Sequence, residues 1–158
     1  MPSLGFGQET VGPLKIGSNY EFTASQNPNR AMRHRDDGAS EVHMDAKTDE
    51  PTFVANSTWK IVKGLTGEAE TVSFQSEDYP DRYIRHAGYV CWAHENDSSD
   101  LFLNDATFRV RIQDDELIIF ESVNYPGHFL KIMDDDDYRV RITPQGGVDG
   151  HFYYREIL

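Results

Sequence analysis

Asp78-Tyr79-Pro80-Asp81-Arg82-Tyr83-Ile84-Arg85-His86 decides the fold, because the chain writes it three times. An earlier version reads Asn27-Pro28-Asn29-Arg30-Ala31-Met32-Arg33-His34, and a later one Asn124-Tyr125-Pro126-Gly127-His128-Phe129-Leu130-Lys131-Ile132. The prolines stand 52 and then 46 positions apart. Repetition at such a period means three copies of one supersecondary unit, and that outweighs local propensity. A phenylalanine precedes each proline by six residues: Phe22, Phe74 and Phe120. Two residues after it come Ser76 and Ser122, with Ala24 in the first copy. A second anchor closes each unit, at Asn56-Ser57-Thr58-Trp59, Asp105-Ala106-Thr107-Phe108 and Asp149-Gly150-His151-Phe152. Two anchors in one order, three times, identify an internal triplication.

Between the anchors lie short runs rich in Val, Ile, Phe, Tyr and Thr. Examples are Thr71-Val72-Ser73-Phe74, Tyr89-Val90-Cys91-Trp92, Leu117-Ile118-Ile119-Phe120 and Tyr138-Arg139-Val140-Arg141-Ile142. Each is four to six residues long, several alternate in polarity, and Gly, Pro, Asp or Asn punctuate them, which is the pattern of strands. No window carries a sustained helical stripe. Four strands per copy predict twelve in all. Short strands leave sheet edges unpaired unless they close on themselves, and three copies can close on a threefold axis. The predicted fold is all-β, a β-trefoil of three internal repeats. Residues Met1–Pro13 read as an irregular arm, and the repeats as Leu14–Leu65, Glu68–Asp115 and Glu116–Leu158.

The chain has 158 residues, the size of one domain with a real core, and a net charge of −12. That charge excludes nucleic acid, whose phosphates call for Lys and Arg, and an anionic membrane surface. It suits a neutral ligand. No apolar run is long enough to span a bilayer. Met1–Gly12 lacks a basic region followed by an apolar stretch, so no signal peptide is expected. The chain therefore reads as cytoplasmic or as a piece excised from a secreted protein. The single cysteine, Cys91, sits in a strand pattern and reads as a buried thiol.

With the repeats aligned, Phe74-Gln75-Ser76-Glu77-Asp78-Tyr79-Pro80, Tyr83-Ile84-Arg85-His86 and Asn104-Asp105-Ala106-Thr107-Phe108 resemble the arabinose-binding domain of α-L-arabinofuranosidase B, carbohydrate-binding module family 42. Phe120-Glu121-Ser122-Val123-Asn124-Tyr125-Pro126 matches the same pattern. The resemblance runs from Leu14 to Leu158 and is strongest in copies two and three. It implies a β-trefoil in which each lobe can hold an arabinofuranose side chain. The residues it implies are a tyrosine before the proline, a histidine after the arginine and the aspartate of the closing motif.

Copy two carries that set as Tyr79, His86 and Asp105. The family's aromatic after the histidine is Ala87 here, and Tyr89 is the candidate replacement. Copy one keeps His34 but has Asn27 and Asn56; copy three keeps Tyr125 and Asp149 but has Ile132 for the histidine. The chemistry suits a sugar. A carboxylate accepts from two adjacent hydroxyls, a neutral imidazole donates and accepts, and an aromatic ring covers the C–H face. A structural role for the Asp and His is the alternative, through turn amides or packing. Residues needed for the fold should persist in every copy, as the prolines and phenylalanines do; the Tyr, His and Asp positions do not.

Three functions follow. The first is a non-catalytic module, free of cofactor and metal, that binds an arabinose-containing polysaccharide or oligosaccharide through copy two, with a hydrolase domain as associate. The second is a free-standing trefoil recruited as an intracellular enzyme on a small, partly apolar substrate. Its acid/base pocket would come from His86, Asp105 or the copy-three site, where Tyr125, Phe129, Ile132 and Met133 give an apolar lining. The third is a lectin-like or protein-binding trefoil. Asp134-Asp135-Asp136-Asp137 lacks the spaced ligands of a calcium loop and reads as a solvated hairpin tip. The six histidines form no zinc pattern.

Overall fold

The computed structural model describes residues 8–35, 40–144 and 148–158. Strands β1 (Thr10–Val11) and β2 (Leu14–Lys15) pair as a small antiparallel ribbon. Repeat one supplies β3 (Asn19–Ala24), β4 (Asn27–His34), β5 (Val42–Ala46), α1 (Pro51–Asn56) and β6 (Trp59–Lys63). Repeat two supplies β7 (Thr71–Ser76), β8 (Arg82–Ala87), β9 (Val90–Glu95), α2 (Asp100–Asp105) and β10 (Phe108–Ile112). Repeat three supplies β11 (Ile118–Ser122), β12 (His128–Met133), β13 (Arg139–Pro144), a 3-10 turn at Val148–Gly150 and β14 (Phe152–Ile157).

The outer strands of the repeats close a six-stranded barrel. Around the ring, β3 pairs with β6, β6 with β7, β7 with β10, β10 with β11, β11 with β14, and β14 with β3. The inner pairs form three hairpins, β4–β5, β8–β9 and β12–β13. These meet as a cap, in which β13 touches both β5 and β9 and Glu41 bridges to Trp92. The ring and cap make the predicted β-trefoil, with the predicted twelve strands in its main sheet.

The repeated phenylalanines explain the closure. Phe22, Phe74 and Phe120 are fully buried and meet one another, with ring centroids 5.4, 5.6 and 4.8 Å apart. The closing aromatics Trp59, Phe108 and Phe152 are fully buried around them. Each repeat by itself would leave its phenylalanine in water; three together bury all of them, an effect of roughly 1.5–3 kcal/mol per side chain. Cys91 is fully buried, and burial pushes its thiol up, away from the reactive thiolate.

Three details differ from the sequence reading. Of the predicted irregular arm, residues 1–7 lie outside the described residues, but Thr10–Val11 forms β1 and Val11 joins the core. Two helices appear where no helical stripe exists, because six residues are too few to show one. Local markers were present: Pro51 opens α1, and Ser99 caps α2 by accepting from the Phe102 amide at 3.1 Å. Thr58 and Thr107 each donate to a carbonyl four residues back, at 2.7 Å, so both helices end alike. Finally, the acidic run is the turn of the β12–β13 hairpin, with Asp134, Asp135 and Asp137 exposed as expected, but it also carries ion pairs that the sequence did not announce. Asp136 accepts from Arg141 at 2.7 Å and Asp137 from Arg35 at 2.8 Å, which ties the third hairpin to the first repeat.

Candidate functional site

Strand β8 alternates inward and outward, and its inward positions Ile84 and His86 are buried. The turn that follows is a two-residue loop, Gly88-Tyr89, between the paired Ala87 and Val90. Both loop residues have positive φ, 61° and 65°, as hairpins of this length require. Glycine adopts that geometry freely and tyrosine does not. The strained turn holds the Tyr89 ring out at 50% exposure. Helix α2 delivers Asp105 as its last residue, almost wholly buried.

These residues line a pocket of about 260 Å³ with Arg85, Leu101 and Tyr125. Tyr125 belongs to repeat three, so the pocket is a seam between repeats. Its ring lies edge-on to His86 with centroids 4.9 Å apart, and it remains 40% exposed. The tyrosine expected here, Tyr79, stands at the other seam. It packs edge-on against His34 at 5.6 Å and lies under Arg82. The structure thus brings together His86, Tyr89 and Asp105 of the predicted set, and exchanges Tyr79 for Tyr125.

A polar network holds the pocket floor. Arg85 donates to Asp105 Oδ2 at 2.7 Å, and Asn124 Nδ2 donates to Oδ1 at 2.9 Å. That leaves lone pairs on both oxygens for a ligand. Asn124 Oδ1 accepts from Ser122 Oγ at 3.0 Å and faces His86 Nε2 at 2.8 Å. An amide oxygen only accepts, so His86 Nε2 is the protonated nitrogen and Nδ1 is the acceptor. Burial lowers the pKa of His86, against the opposing pull of Asn124 and Asp105, so the ring is neutral at pH 7. Ser122 in turn accepts from the Tyr125 amide at 3.2 Å, which fixes the turn that carries the tyrosine.

The first seam repeats the plan with altered parts. His34 Nε2 meets Asp78 Oδ1 at 2.7 Å, Ser76 Oγ donates to the same oxygen, and the Tyr79 amide donates to Ser76 at 3.1 Å. Asn56, in the place of Asp105, is buried, and its Nδ2 has no partner among the described residues. Among the described residues the third seam lacks the network. Ala24 stands for the serine and Ile132 for the histidine, and both belong to the hydrophobic core. The apolar third site is therefore not assembled as expected. Ile132 is core, Tyr125 serves the His86 pocket, and Met133 faces a different cavity. Asp149 lies in the 3-10 turn.

The sequence reading missed Asn124, Ser122 and Arg85 as site residues. Their signal was present: the serine recurs two residues after the phenylalanine in copies two and three, followed two residues later by Asp78 or Asn124.

The profile of the alpha-L-arabinofuranosidase B (ABFB) domain matches residues 20–153. Alpha-L-arabinofuranosidase B of Emericella nidulans is 32% identical over 103 residues, which cover 62% of this chain and 20% of that protein. The chain thus spans about a fifth of that relative's length. An arabinofuranosidase solved with arabinofuranosyl-α-1,2-xylobiose superposes with a TM-score of 0.77 at 21% identity, over 90% of this chain and 31% of that one. The BEL β-trefoil superposes with a TM-score of 0.70 at 13% identity, over 90% and 94%. The closed barrel, the triplicated sequence and the profile match over most of its length place this chain in the alpha-L-arabinofuranosidase B domain family.

Proposed function

We propose that the chain is a carbohydrate-binding module whose working site is the pocket between repeats two and three, and that it holds a terminal arabinofuranose-like residue of a polysaccharide or oligosaccharide. The observation that carries this reading is the meeting of Asp105, neutral His86 and two exposed tyrosine rings in one small pocket. The carboxylate accepts from vicinal hydroxyls, His86 Nδ1 accepts from a third, and Tyr89 and Tyr125 cover a C–H face. A volume of about 260 Å³ is below the roughly 300–1,000 Å³ of drug-sized sites, which suits one monosaccharide.

Binding is favoured over catalysis by the acid count. Glycoside hydrolysis generally uses two carboxylates flanking the bond. Asp105 is the one carboxylate lining this pocket among the described residues, and it is engaged by Arg85 and Asn124. Cleavage would then belong to an associated hydrolase. The test is calorimetry with methyl α-L-arabinofuranoside on the wild type and Asp105→Asn. The amide keeps the shape but loses charge-assisted acceptance, and affinity should fall by at least roughly tenfold. Unchanged affinity in a variant of unchanged melting temperature would remove Asp105 from the site.

A further inference from the structure

A second cavity, about 680 Å³, opens beside the first and is lined by Tyr89, His128, Met133, Asp136, Arg141 and Thr143 among others. Tyr89 lines both cavities. Its ring stacks on His128 at 5.8 Å and 26° and meets Tyr125 edge-on at 5.6 Å, while Tyr125 and His128 are 5.8 Å apart. Three rings therefore form a ridge between the small pocket and the larger one. We propose that the larger cavity is a second subsite, contiguous with the His86–Asp105 pocket, which takes a further neutral sugar ring of the same oligosaccharide. The proposal rests on the reading of the small pocket as a sugar site.

The chemistry of the walls selects the occupant. Two polar atoms there, His128 Nδ1 and Thr143 Oγ1, have no hydrogen-bond partner among the described residues. Both atoms are shielded from solvent, so a ligand hydroxyl reaches them only when the Thr143 and His128 side chains turn toward the cavity. A hydroxylated ligand favours that turn by pairing groups that an aliphatic one would leave unpaired. Arg141 is the cavity's cation, and its Nε and Nη2 both donate to Asp136, at 3.0 and 2.7 Å. Its charge is thus neutralised, and Asp135 on the same wall disfavours an acid. Met133 and the ring of Tyr89 supply the apolar surface that a sugar's C–H face needs. A neutral ring with hydroxyls on its edge fits all three conditions. The ridge gives the path: a terminal residue in the small pocket would direct its neighbour over Tyr89 into the larger space.

The experiment is calorimetry on the full chain with three probes: methyl α-L-arabinofuranoside, 4-nitrophenyl α-L-arabinofuranoside and arabinofuranosyl-α-1,2-xylobiose. The variants are Thr143→Val, which removes the unpaired hydroxyl, and Met133→Trp, which fills the cavity; melting temperatures verify that each folds. The wild type should bind the trisaccharide at least roughly tenfold more tightly than the methyl glycoside. Thr143→Val should weaken trisaccharide binding by roughly fivefold, the value of one hydrogen bond, and Met133→Trp by more. Neither should alter binding of the methyl glycoside. Equal affinity for the two sugars, or a trisaccharide affinity indifferent to both variants, overturns the subsite and leaves the small pocket standing. A gain for the nitrophenyl glycoside as large as for the trisaccharide, unaffected by Thr143→Val, overturns the sugar assignment in favour of an apolar group. A wild type that binds none of the probes overturns both readings together.

Discussion

Asn124 donates from Nδ2 to Asp105 Oδ1 at 2.9 Å, across the seam between the third repeat and the second. The repeat-equivalent pair at the first seam is Asp78 and Asn56, with acid and amide exchanged. Each seam therefore keeps one carboxylate, but on opposite sides. At the second seam the acid comes from the helix end and lines the pocket; at the first it comes from the turn and is engaged by His34 and Ser76. The same residue types thus give two different polar surfaces.

The exchange predicts the effect of Asn124→Asp. A second carboxylate would face Asp105 and remove a donor from its Oδ1. One member of the pair would be forced to take up a proton near neutral pH. The loss in stability should be about 1–3 kcal/mol at pH 7 and smaller at pH 5, where protonation restores a donor. Urea denaturation at both pH values measures it. An equal loss at the two pH values would contradict the charge argument.

His86 predicts a pH dependence of the native protein. Burial keeps its folded pKa below the ordinary value of 6.5. In the window between those two values the unfolded chain binds the extra proton, so stability rises with pH. The contribution is complete above 6.5 and is lost as pH falls through the folded value. Burial lowers His94 in the same direction, joined by the charges of Arg85 and Arg82. The melting temperature should fall between pH 7 and pH 5, and His86→Gln should flatten that slope without abolishing it. An unchanged slope in the variant would mean that His86 does not titrate differently on folding.

Tyr89 predicts a separation of stability from binding. Its left-handed conformation costs about 1–2 kcal/mol in a non-glycine residue. Its ring contacts with Tyr125 and His128 return about 0.5–1.5 kcal/mol each. In Tyr89→Gly the two effects oppose, so stability should change by less than about 1 kcal/mol. Affinity for an arabinofuranoside should nonetheless fall several-fold. A large drop in the melting temperature would make the ring a structural element instead.

The repeat read from prolines and phenylalanines was enough to predict a trefoil, its twelve main-sheet strands and the fully buried aromatics. Those features depend on patterns within one repeat, and one repeat is local in sequence. Helices α1 and α2 escaped because six residues carry no periodicity, although the Ser99 cap and Pro51 marked their starts. His86, Asp105 and Tyr89 were legible as residue types that differ between copies, where scaffold positions do not.

What the sequence alone determined is therefore the unit and its number. What only the tertiary structure decided is which copy completes which site. Closure of the barrel sets the turn before each proline against the histidine position of the preceding repeat, so Tyr79 meets His34 and Tyr125 meets His86, while the third seam has Ile132 there. Nothing within a single repeat encodes that neighbour. It follows from three phenylalanines sharing one axis, which fixes the rotation of each repeat against the next and with it the composition of every seam.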